Sequence, residues 1–566
     1  MIRNLKRCAV LMAALALGAC KDELVVTNPD QPDAGRALSS PSDVENMMGG
    51  YYKRFHEGLY RNLGNVEGMA NVMSFQNFSS LANNCQNGRL PFSGAFNDNS
   101  IGNVCKEEQQ RVYFVESEVN RVATTLLAKV LNDKLDIGQP GTTARNNRFL
   151  AFGEFLRGLS LGYLAMFYDS AAVVTVGQAS ADPGSLSDYK VVFDTAMAAF
   201  QRSIDYANAP GTGTDGFPLP ATWIPSPTTF SATEFIKLVR SYRARIRANV
   251  ARTPAERAAV NWDLVIADAQ NGISADHFNT TSTVSGPFRT WADQYETYGL
   301  WHQMPPFIIG MGDVSGTYAA WIAQPVGERG SGNQSFTMVT PDTRFPQGAN
   351  RTAQQADFAI TSCQAAATPC KRYFVNRPSG GDQFAGSGWG WSNYDFVRFH
   401  SWKVAGDAGA GRNGNLPFFT KAELDMLQAE GLIRKGQFAA AAVLINRTRE
   451  TNGLPPITAF DATSPVPGGA SCVPKVPVAP YNVVACGNMF EAMKWEKRIE
   501  TAYTHFAPWY LDGRGWGDLA EGTALFWAVP YQDLQARGVA ISAIYGAGAG
   551  VGTAANSAAA KGTYGW

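Results

Sequence analysis

Between positions 291 and 302 the chain sets Trp291, Asp293, Gln294, Tyr295, Tyr298, Trp301 and His302 close together. Flat rings stack on the C–H faces of sugars and on apolar peptide side chains, while carboxylates and carboxamides bond hydroxyls. Trp321, Trp389, Trp391 and Tyr394 extend the same theme. Trp291, Tyr295, Trp301, Trp321, Trp389 and Trp391 are therefore the ligand-binding candidates. Each ring taken alone is more often a core plug than a platform, because large rings are mostly buried. The group as a whole is expected to supply at least one exposed platform.

Catalytic patterns are weaker. Gly158-Leu159-Ser160-Leu161-Gly162 matches the G-x-S-x-G pattern of hydrolase nucleophiles, which works only on a strained strand-to-helix elbow. Here it sits inside an amphipathic helical run, so small residues for close helix packing are the expected reading. Histidines fall at 56, 277, 302, 400 and 505, with no pair four apart, and there is no H-E-x-x-H, phosphate loop or G-x-G-x-x-G. A carboxylate pair for glycoside hydrolysis meets only in the fold, and nothing singles one out. No catalytic residue, metal or cofactor is assigned, and an extracytoplasmic glycan hydrolase stays a third reading.

Apart from Cys8 and Cys20, the cysteines fall into three sequence-local twos: Cys85 and Cys105, Cys363 and Cys370, Cys472 and Cys486. No zinc-type C-x₂-C or H-x₃-H spacing is present. An even number in an exported chain reads as disulfides, and locality favours 85–105, 363–370 and 472–486, since short loops cost least to close.

The elements that must carry these residues are mostly helical. Phe152, Phe155, Leu156, Leu159 and Tyr163 keep the 3.6-residue period over about 145–169. Phe193, Met197, Phe200 and Ile204 mark the next helix. Ser231-x-x-Glu234 is a capping box before Phe235, Leu238, Val239, Tyr242 and Ile246. Thr253-Pro254-x-Glu256 opens another start, and Trp262, Val265, Ile266 and Ala269 follow on one face. Leu424, Leu427 and Ile433, then Gly436, then Phe438, Ala441, Ala442 and Ile445 form an antiparallel pair with a small-residue seam. That pair is the unit of tetratricopeptide-like stacks, although no strict repeat is present. A last helix is expected from Met489 through Ile499 and Tyr503 to Phe506.

The interval from about 275 to 415 differs, with weak periodicity and six of the thirteen tryptophans. Long structureless intervals in compact domains are usually functional, so irregular loops with a few strands over the helices are expected. The stretch 208–230 reads as a Pro/Gly linker, and the Gly/Ala-rich end from about 546 as a flexible tail.

Lys and Arg number 48, as do Asp and Glu. Near-neutrality argues against nucleic acid, which needs a basic footprint. Arg3, Lys6 and Arg7 precede a short apolar run, and Leu17-Gly18-Ala19-Cys20 then resembles the lipobox of bacterial lipoproteins. Residues 1–19 are thus expected to be a signal peptide and Cys20 the acylated new N-terminus, anchoring the chain to a membrane. Lys21-Asp22-Glu23 resembles the surface-export signal of Bacteroidetes-like lipoproteins.

Several separated stretches together resemble the SusD/RagB family of surface lipoproteins. They are Cys20 to Asp30 with Ser42 to Glu45 and Gly49-Gly50-Tyr51-Tyr52; Arg243-Ala244-Arg245 leading to Trp262 to Ala269; Lys421 to Glu430 with Ala442 to Arg449 and Gly453-Leu454; and Trp495 to Glu500 with Trp509 to Gly517 and Val529-Pro530. Pro341-Asp342-Thr343-Arg344 is similar to the family's Asp-Pro-Arg element, with Thr where proline is usual. The resemblance implies tetratricopeptide-like helix pairs carrying a large loop-rich ligand-binding layer. It implies one domain over 20–566, with scaffold at about 40–275 and 416–530, looped layer at about 276–415 and tail at about 546–566. It further implies a non-enzymatic protein at the outer-membrane surface that captures oligosaccharide or peptide and passes it to a TonB-dependent, SusC-like transporter. An outer-membrane scaffold that binds only proteins is the alternative. The family's ligand residues vary, so none transfers by motif.

Overall fold

The computed structural model describes residues 38–60, 66–77, 99, 101–103, 106–138, 143–178, 182–209, 211, 216–281, 304–325, 328–329, 336–359, 370, 372–377, 392–398, 414–504, 506–539, 558 and 561–566. Cys20, Cys85, Cys105, Cys363, Trp291, Tyr295, Trp301, Trp389 and Trp391 lie outside them.

The scaffold begins with α1 (Pro41–Tyr60), α2 (Val66–Met73), α3 (Glu107–Leu131) and α4 (Ala144–Phe167). Every residue of α4 from Phe149 to Phe167 is buried. Its apolar side chains surround the whole circumference, the pattern of a helix enclosed on all sides. By length and composition α4 could cross a membrane, yet here its apolar stretch is buried inside the protein. Its inner charges are matched: Arg202 donates to both Glu154 carboxylate oxygens at 2.9 and 3.0 Å, and Arg157 Nη2 donates to the Val174 carbonyl at 3.0 Å.

The G-x-S-x-G run lies inside this helix. A Cβ at Gly158 would meet Phe200 Cδ1 at 2.6 Å, and one at Gly162 would meet Ile246 Cδ1 at 2.6 Å. Ser160 is fully buried and donates to the Arg157 carbonyl at 3.3 Å. The run is a close-packing seam. Gly158→Ala should lower stability by about 1–3 kcal/mol through overpacking, whereas Ser160→Ala should change it by about 1 kcal/mol or less. Urea unfolding of both variants checks the order.

After α4 come β1 (Ser170–Ala172), β2 (Leu186–Asp188), α5 (Tyr189–Ala207), α6 (Ala232–Asn249), α7 (Pro254–Ala258) and α8 (Trp262–Gln270). Their starts are capped by side chains: Asp188 accepts from Lys190 N, Ser231 from Glu234 N, Thr253 from Glu256 N and Asn261 from Leu264 N. The loop-rich interval contributes β3 (His277–Thr281), α9 (Pro306–Ile309), α10 (Thr317–Ile322), α11 (Arg351–Asp357), β4 (Phe374–Asn376), β5 (Tyr394–Phe396) and β6 (Gly414–Phe419). The chain then returns to the scaffold with α12 (Lys421–Arg434), α13 (Phe438–Thr451), β7 (Lys475–Val478), β8 (Val483–Cys486), α14 (Met489–Thr501), α15 (Pro508–Trp516) and α16 (Tyr531–Ala536).

The helices stack in series: α3 and α5 on α4, α5 on α6, α6 on α8, α8 on α12, and α12 on α13 and α14. Gly436, at φ 72°, turns the chain between α12 and α13. Met426, Ala429 and Leu432 then meet Ala441, Ala442 and Ile445 in one buried seam. Strands pair as antiparallel twos, β1–β2, β3–β6, β4–β5 and β7–β8. The β3–β6 pair, with His277 opposite Phe419, brings together the two ends of the loop-rich interval. The Cys472–Cys486 disulfide forms, with Cα atoms 5.8 Å apart. Cys370 is also disulfide-bonded.

Three expectations need correction. The helix from Met489 stops at Thr501; Tyr503 and Ala507 adopt φ 55° and 54°, and Pro508 opens a separate helix. Proline disfavours helical backbone at the residue before it, which ends any continuous run there. Phe506 and Tyr503 stay buried, but from an irregular link. Residues 216–230 of the linker stretch are irregular yet docked, for Trp223 is 4% exposed and packs on Phe152 at 4.7 Å. The tail is docked at its end: Thr563 N donates to Gly517 O at 2.8 Å, Trp566 Nε1 to Asp518 O at 3.0 Å, and Tyr564 and Trp566 are buried. Two large rings gain enough from burial to fix a segment that small residues alone would leave unspecified.

Candidate functional site

The loop-rich layer rests on a second core, distinct from the one around α4. Phe307, Trp321, Phe336, Phe345, Phe374, Tyr394 and Phe396 meet Trp495 of α14 and the terminal Trp566 there. Phe345 stacks on Phe374 at 4.1 Å and Phe75 on Phe307 at 4.3 Å. Polar staples hold this floor flat. Asp313 accepts the N–H groups of Gly316, Tyr318 and Val339, each at 3.0 Å, fixing the start of α10 to the following chain. Gln354 of α11 donates to Met338 O at 2.7 Å and accepts from Tyr394 OH at 2.7 Å and Asn376 Nδ2 at 2.8 Å.

At one edge of the floor three strands of chain are clamped together. Met304 N donates to Tyr394 O at 3.1 Å, Ser392 N to Met304 O at 3.0 Å, and Ser392 Oγ to the same carbonyl at 2.6 Å. Phe336 and Ser392 form a parallel bridge. Residues 282–303 and 378–391, which hold five of the six ring candidates and lie outside the described residues, immediately precede Met304 and Ser392 in the sequence. The sixth candidate, Trp321, belongs to the floor itself. It is 9% exposed, edge-on to Phe307 at 4.8 Å and stacked with Tyr318 at 5.9 Å, and Arg329 covers its ring at 5.0 Å. Its face is committed to protein, so of the two roles open to a tryptophan here it takes the core one.

The floor is tied to the scaffold by a buried ion cluster. Arg344 donates to Asp342 at 2.9 and 2.6 Å, to Glu496 at 2.9 Å and to Glu500 at 3.0 Å. Trp495 Nε1 donates to Asp342 at 2.9 Å, Tyr373 OH to Glu500 at 3.1 Å, and Arg398 pairs with Glu500 at 3.2 Å. Burial works against the Arg344 charge, but Asp342, Glu496 and Glu500 win and raise its pKa well above the usual value. Burial pushes the Glu496 carboxyl up against the pull of Arg344 and Arg449.

Similar pairing recurs at several of the described stretches that carried the family resemblance. Arg243 grips Asp268 at 2.8 and 2.5 Å, and Arg245 grips Glu423 at 2.8 and 2.7 Å while lying 3.7 Å over Phe419. Arg257 holds Glu430 at 2.9 and 2.6 Å and reaches Asp512, which also accepts Lys497 at 2.7 Å. Trp516 Nε1 donates to Glu430 at 3.1 Å, and Glu45 pairs with Arg148 at 2.6 Å. The motif residues lock successive helices to one another and to the floor. Their role is architecture. Buried ions missing a partner are costly, which explains why these residues come in matched sets.

Elsewhere, burial pushes His56 and His277 down to about 3, so both stay neutral. Among the described residues no group of His, Cys, Asp or Glu side chains could hold a metal ion. The class of protein defined so far is a stacked helical scaffold with an aromatic-floored looped layer. No family model matches the chain, and no curated protein matches it. Solved structures of similar shape are SusD superfamily or SusD-like proteins. A SusD superfamily protein from Bacteroides vulgatus shares 13% identity at a TM-score of 0.48, over 85% of this chain and 89% of that one. One from Parabacteroides distasonis shares 12% at 0.48, over 89% and 98%. The surface glycan-binding protein A of Bacteroides uniformis shares 12% at 0.46, over 86% and 92%.

Proposed function

We propose that this chain is a non-enzymatic, surface-exposed nutrient-binding lipoprotein of the SusD/RagB type. It captures oligosaccharide in its looped layer and delivers it to a TonB-dependent, SusC-like outer-membrane transporter. The observation that carries the reading is the clamp of Met304, Phe336 and Ser392 on a rigid aromatic floor. Trp391 immediately precedes Ser392, and Trp301 lies three residues before Met304. Chain geometry therefore keeps both Cα atoms within about 11 Å of the clamp. Aromatic rings suit the C–H faces of a sugar chain, and the neutral net charge suits an uncharged ligand.

Binding of the full chain to glycan and peptide arrays tests the reading, with saturable binding to at least one oligosaccharide expected. Binding to peptides alone would favour peptide capture, and binding to neither would remove the capture role. Turnover of a bound sugar would make the chain a hydrolase instead.

The lipid anchor is tested separately. Cys20→Ser should release the chain from membranes and abolish surface labelling of intact cells. Unchanged membrane association in that variant would contradict acylation at Cys20.

A further inference from the structure

On the scaffold, away from the clamp, a half-open cavity of about 400 Å³ lies where the start of α5, the end of α6 and the α7–α8 junction meet. Phe193, Val250 and Val260 form its apolar lining. Several polar groups around it are already committed: Tyr189 OH donates to Glu256 Oε1 at 2.8 Å, and Arg247 Nε donates to Asp268 at 3.2 Å. Two are not. Lys190 and Asp194, one helical turn apart on α5, are exposed and both line the cavity, and among the described residues neither has an ion pair. Lys190 Nζ lies over the Tyr189 ring, at 5.6 Å. Residues four apart on a helix are neighbours, and opposite charges there ordinarily attract each other. Here both remain available beside an apolar slot.

We propose that this cavity is a second ligand site, for a zwitterionic amino acid or short peptide with an apolar side chain. The ligand carboxylate meets Lys190, its ammonium meets Asp194, and its side chain lies against Phe193, Val250 and Val260. A volume near the lower end of the roughly 300–1,000 Å³ typical of ligand pockets admits one such residue but not a sugar chain. The lining also lacks the array of carboxamides and hydroxyls that a sugar needs.

The experiment is calorimetric titration of the full chain with L-phenylalanine, phenylacetate, phenethylamine and glucose. L-Phenylalanine should saturate, each single-charge analogue should bind about tenfold more weakly or worse, and glucose should not bind here. Lys190→Glu should weaken L-phenylalanine and phenylacetate while sparing phenethylamine, and Asp194→Lys should do the reverse. Val260→Trp fills the slot and should abolish binding. Ala259→Trp, at the exposed rim, blocks the mouth and serves should the first variant fail to fold. Oligosaccharide capture by the looped layer should persist in all four variants. Absence of saturable L-phenylalanine binding up to about 10 mM overturns the proposal. So does equal binding of all three ring compounds, or binding untouched by the two tryptophan variants.

Discussion

Arg344→Met should lower folding stability by about 3–5 kcal/mol, because it strands Asp342, Glu496 and Glu500 in a buried site without their shared cation. Wild-type Arg344 is fully buried and bonded to all three. The loss should depend on pH with a definite sign. Burial already raises the Glu496 pKa in the native protein, against the pull of Arg344 and Arg449. A carboxyl whose pKa is higher folded than unfolded makes its contribution at low pH and loses it as pH rises through the folded value. Removing Arg344 takes away part of the downward pull and widens that difference. The deficit of the variant should therefore shrink on acidification from about pH 8 to about pH 5. Urea midpoints across that range check it, and a deficit independent of pH would contradict the buried-charge account. Glu430 behaves oppositely. Burial opposes its charge, but Arg257, Arg434 and Lys497 hold it down at about 2. Its contribution is fully present above the unfolded value of about 4.5 and is lost progressively as pH falls from there to about 2.

Trp321→Ala should cost about 3–5 kcal/mol of stability, the range for removing a buried large ring. The Phe307, Tyr318 and Phe336 rings all touch it, so the cavity left behind lies at the centre of the floor. Ligand affinity should fall with it, because the floor that positions the capture loops loosens. The melting curve should move down as well. A platform ring behaves differently. Trp301→Ala or Trp391→Ala should reduce ligand affinity by at least about 2 kcal/mol, roughly thirtyfold, with the melting curve unmoved. Measuring melting temperature and affinity on the three variants side by side separates floor from platform.

Sequence periodicity located α4, α5, α6, α8, α12 and α13 to within a few residues, because each has a strong apolar stripe or a side-chain cap. Thr253-Pro254 and Ser231 act as the caps their types suggest. The 25-residue α3 has an apolar stripe through Val112, Val119, Ala123 and Leu126, but the many Glu, Gln and Arg residues around it dilute the periodic signal. The break at Tyr503 and Ala507 was less legible. Both rings at 503 and 506 fit a helical stripe, and only Pro508 signals that the backbone must turn first. Trp566 was hidden by the small residues before it, since its partners Phe75 and Phe307 lie far off in sequence. The candidate site was legible as a set of rings but not as an arrangement. Spacing could not say that Met304, Phe336 and Ser392 would meet, because that contact depends on the β4–β5 pairing and the staples of Gln354. Arg243, Arg245, Glu423 and Glu430 were legible as parts of a family resemblance, and the fold supplies their physical meaning as matched buried ions.

The proposed function is capture of oligosaccharide by the looped layer. Its most direct test is calorimetric titration of one array-selected oligosaccharide into the wild-type chain and into the Trp301→Ala/Trp391→Ala double variant. Saturable binding by wild type and at least about a thirtyfold loss in the double variant, at an unchanged melting temperature, are expected. Equal affinity in the two proteins would contradict it.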